Sequence, residues 1–176
     1  MSLNSVLSLI PPELRLALFS LRVASQGETE LHETLLESTK RAVLTQRRFV
    51  KNLSVGEIID QYFQLERLSD TKITNVVFMG MGEPFLNYKN SIAAAKLLNH
   101  SKGINLGARR ITISTSGIIT KIKKFTDERH PFKLAVSLNG SSHNQRLKIM
   151  PITKNQTFQN LLEAIKVYTN QSRKRI

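Results

Sequence analysis

The chain has 176 residues, enough for one domain with a real core, and its 40% apolar content and mean hydropathy of −0.20 are those of a globular protein. It has no cysteine, which excludes disulfides, a disulfide-linked partner and any Cys-ligated zinc or iron–sulfur cluster within the chain. No apolar run approaches the ~20 residues that argue for a membrane span. The net charge of +13 is skewed: residues 1–83 carry 9 Lys/Arg against 10 Asp/Glu, and residues 84–176 carry 17 against 3. A basic half of this kind points to a polyanionic partner, nucleic acid before others, with a merely solvated basic surface as the alternative.

At the N-terminus, the Ser- and Arg-bearing, acid-poor opening is compatible with an organellar leader. Pro11-Pro12-Glu13 followed by "LRLALFSLRV" equally fits a helix with proline at its start, and we take residues 1–48 as an N-terminal helical segment. The matching expectation for location is the cytoplasm, with a mitochondrion or plastid as the alternative. Ser54 with Glu57 three residues later forms a capping box, and Ile58, Ile59, Phe63 and Leu65 supply an apolar stripe, so a helix is predicted over 55–68.

From there strands and helices alternate. Apolar strands are predicted over 73–80, 109–115 and 132–140, and helices over 88–103, 118–130 and 157–173. Continuous apolar strands separated by helices imply βαβ units on a parallel sheet. Three strands are few for a closed sheet. The expected fold is therefore an α/β class partial (β/α) barrel over 49–176, cut short at its C-terminal side.

Ligands of parallel α/β sheets gather at the C-terminal ends of the strands. All three strands here end in unusual residues: Gly80-Met81-Gly82-Glu83-Pro84, Ser114-Thr115-Ser116-Gly117 and Ser137-Leu138-Asn139-Gly140. Glycines allow close backbone approach to a ligand, and Glu83 can accept hydrogen bonds from an amine or ribose, or else cap the segment after it. Ser114 to Ser116 suit a carboxylate or phosphate at a helix start, or serve as N-caps. Asn139 either meets a polar ligand edge or makes an Asx turn. His32, His100, His130 and His143 have neither triad context nor metal-ligand spacing and read as surface or loop residues. No P-loop or dinucleotide fingerprint is present. Arg109, Arg110, Lys121, Lys123, Lys124, Arg146, Lys148 and Lys154 are the basic residues best placed in the sequence to meet an RNA backbone.

The segments "NLSVGEIIDQ", "VVFMGMGEPFLNYKN", "ARRITISTSGI", "LAVSLNGSSHNQRLKIMPITK" and "LLEAIKVY", in this order, resemble the radical S-adenosylmethionine (radical SAM) RNA methyltransferases. That family methylates carbon 2 of adenine in large-subunit rRNA and in tRNA. The resemblance covers 49–176 and is weak over 1–40. It implies S-adenosylmethionine and a four-iron–four-sulfur cluster as cofactors, and rRNA and tRNA as partners. It implies that Gly82 and Glu83 hold the methionine amine end, with Ser114, Ser137, Leu138 and Asn139 as further contacts; the family usually has His at the last position. It also makes Arg146 and Pro151 a structural element.

The family's C-x-x-x-C-x-x-C loop would place cysteines at positions occupied here by Leu35, Thr39 and Ala42. None of these can replace a thiolate, so no catalytic or metal-binding residue is assigned and the isolated chain is expected to be inactive. The resemblance fits a truncated or alternatively spliced family member, or a non-catalytic paralogue that binds S-adenosylmethionine or RNA. An unrelated basic α/β protein is the remaining alternative.

Overall fold

In the computed structural model, which describes residues 21–24, 51–69, 72–79 and 82–172, a four-stranded sheet runs in the order β1-β2-β3-β4. The strands are β1 (Leu21–Ala24), β2 (Asn75–Phe78), β3 (Ile111–Thr115) and β4 (Lys133–Val136). β2, β3 and β4 are parallel, and the connections between them carry α2 (Tyr88–Asn99) and α3 (Ile119–Asp127). α1 (Val55–Leu68) precedes β2, while α4 (His143–Ile149) and α5 (Phe158–Ser172) follow β4. The alternating parallel architecture expected from the sequence is thus present.

The strand register brings apolar side chains into rows. Phe78 pairs with Ile113, and Ile113 with Leu134, and all three are buried. On the helices, Ile58 and Tyr62 of α1, Ile92 and Leu98 of α2, Ile122 and Phe125 of α3, and Leu161 and Tyr168 of α5 join them in one core. With the buried Ala95 of α2 and Ala164 of α5, these positions recur at three- and four-residue spacing, the period that lets a helix bury one face. Lys133 at the start of β4 is exposed, a charge on the strand that ends the sheet. Among the described residues, no helix is long and apolar enough to cross a membrane.

Four elements differ from expectation. Leu21–Ala24, inside the segment expected to be helical, forms a strand antiparallel to β2, with Leu21 opposite Phe78 and Ala24 opposite Asn75. The alternation in "LRVA" suits a strand, and the open side of β2 supplies the ladder. The rest of 1–48, including Leu35, Thr39 and Ala42, lies outside the described residues, as do Gly80 and Met81. The predicted strand at 109–115 opens with a 3-10 turn, Ala108–Arg110. Between β4 and α5 the chain forms α4 and a 3-10 turn, Pro151–Lys154.

The capping box of α1 is formed as the sequence predicts. The Ser54 hydroxyl accepts from the Glu57 amide at 3.3 Å, and the Glu57 carboxylate accepts from the Ser54 amide at 2.9 Å. Lys51 also reaches Glu57, and its bond together with that of the Ser54 amide holds the Glu57 carboxyl down at about 2. Replacing Ser54 by Ala is expected to lower stability by about 1 kcal/mol in urea unfolding. The Glu57 carboxyl is depressed in the folded state, so its contribution is complete above its ordinary value of 4.5. It disappears as the pH falls toward about 2, and a Glu57→Gln variant should flatten that acid limb of the unfolding profile.

Candidate functional site

Because β2, β3 and β4 are parallel and adjacent, their C-terminal ends lie along one edge of the sheet, and the three unusual sequence stretches meet there. Gly82 and Glu83 follow β2, Ser114 is the penultimate residue of β3, and Ser137, Leu138 and Asn139 follow β4. Gly82 and Asn139 are exposed, Glu83, Ser137 and Leu138 are half-buried, and Ser114 is buried.

Glu83 ties two of these ends together. One carboxylate oxygen accepts from the Phe85 amide at 2.9 Å and the other from the Ser116 amide at 2.6 Å. It therefore caps its own loop and also grips the turn after β3, 33 residues away. The loop is fixed from behind as well. The Asn87 and Asn90 side-chain amides both donate to the Leu53 carbonyl, at 2.7 and 2.8 Å, and the Ser91 hydroxyl donates to the Pro84 carbonyl at 3.1 Å.

Arg146 ties the third end. Its guanidinium donates to the Ser137 carbonyl at 2.7 Å, to the Leu138 carbonyl and to the Ser116 carbonyl. At 2% exposure it cannot meet a phosphate backbone, which corrects its assignment as an RNA contact. Burial lowers its pKa, yet a guanidinium remains charged at any ordinary pH. The three carbonyls take up the planar fork that only Arg provides. Its structural role is the one the resemblance implied.

Ser116 is thus the middle of a continuous chain of hydrogen bonds. Its amide donates to Glu83 and its carbonyl accepts from Arg146, so the turns after β2, β3 and β4 are joined within one network. Gly117 beside it has φ of 104°, and a Cβ there would lie 3.0 Å from Leu161 Cδ1 and 3.1 Å from Arg146 Nη2. Only glycine suits that position.

The serine N-cap reading is not realised. α3 has Ile118 at its N-cap, and the Ile119 amide is instead satisfied by the Gln156 side chain at 2.9 Å. Thr115 Oγ1 accepts from the Gly117 amide at 3.1 Å. Asn139 adopts φ of 49°, the left-handed conformation that Asn tolerates, and its side-chain amide reaches Met150 Sδ at 3.3 Å. Sequence reasoning missed Phe85, Asn87, Asn90 and Gln156.

The remaining basic candidates do not form a single patch. Arg109 and Arg110 precede β3, at the end opposite Ser114. Lys121, Lys123 and Lys124 are on α3, Lys148 is on α4 and Lys154 is in the 3-10 turn after it. All but the half-buried Lys121 are exposed. His100 and His143 are exposed, whereas the side chain of His130 is only 7% exposed and bonds Glu128 at 2.6 Å. Of the surface or loop reading, the loop is the part that holds for His130.

An iron–sulfur cluster does not fit this chain. It has no thiolate to offer, and among the described residues no group of three His, Asp or Glu is disposed to hold a metal.

Arg146→Ala removes three hydrogen bonds from a charged donor and leaves three half-buried carbonyls without that partner. It is expected to cost roughly 2–4 kcal/mol in urea unfolding, with Arg146→Lys recovering only part because an ammonium cannot span the three acceptors. Gly117→Ala is expected to cost roughly 1–3 kcal/mol from backbone strain and overpacking, with a correspondingly lower melting temperature.

A family profile for the radical SAM superfamily matches residues 32–174. The chain is 46% identical over 128 residues to a probable dual-specificity RNA methyltransferase RlmN from Thermotoga neapolitana, covering 73% of this chain and 37% of that protein. It is 41% identical over 129 residues to the probable enzyme of the same name from Bacillus subtilis, covering 72% of this chain and 36% of that one. Among solved structures, a radical SAM methyltransferase from Sphaerobacter thermophilus superposes with a TM-score of 0.64 at 33% identity, covering 72% of this chain and 38% of that chain. The chain therefore spans a little over a third of the length of the relatives it matches. Parallel strands whose C-terminal ends carry Glu83, Ser114 and Ser137, together with the profile match across most of its length, establish that the chain belongs to the radical SAM superfamily.

Proposed function

We propose that this chain is a member of the rRNA and tRNA adenine methyltransferase group that binds S-adenosylmethionine at its strand ends and contacts RNA. As this polypeptide it does not run the radical reaction. The observation that supports the reading best is the convergence of three strand ends, locked together by Glu83, Ser116 and Arg146, at the edge where such folds bind ligands. Similarity to proteins named as RNA methyltransferases adds the substrate class.

In this reading Gly82 and Glu83 receive the amine end of the cofactor, and Ser114, Ser137, Leu138 and Asn139 contact the remainder. Each Glu83 oxygen accepts one amide hydrogen bond, so each keeps a lone pair for an ammonium group. The exposed loop at Gly82 gives access without an intervening side chain. Arg109, Arg110, Lys121, Lys123, Lys124, Lys148 and Lys154 serve RNA. Bound S-adenosylmethionine carries a sulfonium whose reductive cleavage requires an electron from a cluster, and Leu35, Thr39 and Ala42 supply none of its ligands. A binding role without radical catalysis is the form of the function that these residues support.

Two measurements test this. Isothermal calorimetry should detect S-adenosylmethionine binding that weakens about tenfold or more in Glu83→Gln, which removes the charge and leaves one acceptor oxygen for the Phe85 and Ser116 amides. Equal affinity in the two proteins would remove Glu83 from the site. Anaerobic incubation with iron and sulfide should leave the protein colourless; a brown protein with cluster absorbance would overturn the inactive reading.

A further inference from the structure

A hollow of about 530 Å³ lies between α2 and the C-terminal part of α3. None of the strand-end residues Glu83, Ser114 or Ser137 lines it. Its floor is Tyr88, Ile92 and Ala93, and Lys89, Lys96 and Lys124 stand around it. Lys89 and Lys96 are seven residues apart on one face of α2, two turns or about 10 Å along the axis. Lys121 and Lys124 of α3 sit over the Tyr88 ring at 5.7 and 5.1 Å from its centroid, which brings α3 cations to the same place.

The one acid of the hollow is already engaged. Glu128 accepts from the Tyr88 hydroxyl at 2.6 Å, meets His130 Nε2 at 2.6 Å and pairs with Lys124 at 3.7 Å. Burial works to raise its pKa, but the bonds from Tyr88 and His130 outweigh this and hold it below the ordinary carboxylate range. Lys89 and Lys96 are exposed, and neither pairs with an acid among the described residues. The result is a concave surface with surplus positive charge.

We propose that this hollow is a docking site for the sugar–phosphate backbone of RNA, separate from the strand-end site. The inference rests on the RNA-contacting reading above and assigns part of that contact to residues outside the basic set read from the sequence, Tyr88, Lys89 and Lys96. Cations spaced along a helix follow a phosphodiester chain, whose charges recur at regular intervals. A polypeptide partner would instead need an apolar anchor. The large exposed apolar side chains, Phe63, Leu86, Leu97, Ile149 and Val167, do not line the hollow.

The test uses the full chain and a fluorescein-labelled single-stranded RNA, titrated by anisotropy at several salt concentrations. Lys89→Glu with Lys96→Glu should weaken binding about tenfold or more and reduce the slope of log K against log salt by roughly one to two. S-adenosylmethionine affinity and melting temperature should stay unchanged. A control of equal charge, Lys102→Glu with Lys166→Glu on exposed positions elsewhere, should lose less than about threefold, since screening limits a remote charge. An unchanged RNA affinity in the hollow variant, or an equal loss in the control, overturns the proposal while leaving cofactor binding and RNA contact elsewhere intact. Tighter binding of poly-glutamate than of RNA to the hollow overturns it in favour of an acidic protein partner. Failure of the wild-type chain to bind RNA at low salt overturns both this site and the RNA part of the proposed function, and calorimetry still reports on the cofactor separately.

Discussion

A guanidinium excluded from water must find acceptors within the protein, and the position of Arg146 is decided by that need. Its fork reaches the Ser116, Ser137 and Leu138 carbonyls, groups at which the chain leaves the sheet and that have no further ladder partner to rely on. Arg146 can reach them only because α4 returns across the strand ends, and Gly117 and Gly140 leave the space: a Cβ on Gly140 would lie 3.0 Å from the Arg146 amide nitrogen. The Glu83 carboxylate does the matching work for the donors, taking the Phe85 and Ser116 amides. One buried cation and one half-buried anion, each bonded to backbone rather than to each other, thus define the edge on which the proposed cofactor site depends.

The basic character of the molecule is separate from that framework. Apart from Arg146, it is spread over α2, α3, α4 and the turn before β3, the last of these at the opposite end of that strand from Ser114. Tyr88 connects the two systems. Its ring packs against Phe85, the residue whose amide Glu83 binds, at 5.4 Å between centroids, and its hydroxyl faces the hollow through Glu128. Burial and the Glu128 carboxylate both raise the Tyr88 pKa, so the phenol stays a donor across the physiological range.

The sequence was most readable where one local rule sufficed. The Ser54–Glu57 box, the apolar strands and the helices between them follow from spacing, and the clustering of Glu83, Ser114 and Asn139 follows from the parallel order of the strands. What stayed hidden depends on partners distant in the chain. Nothing near Arg146 announces that its acceptors lie 8, 9 and 30 residues back, and Gln156 gives no local sign that it caps a helix beginning at Ile119. The asparagines of "FLNYKN" look like turn residues, but Asn87 and Asn90 converge on the Leu53 carbonyl ahead of α1. β1 was misread because four residues of mixed character satisfy either period, and a strand's open side decided between them.

The Glu83 hydrogen bonds also bear on how the chain's history can be read. A carboxylate that accepts from two backbone amides stabilises the fold whether or not any ligand arrives. Selection for a stable chain would therefore favour Glu83, Ser116 and their glycine neighbours even in a chain without a cluster. A motif built this way outlasts its chemistry, and its persistence measures the cost of losing the scaffold.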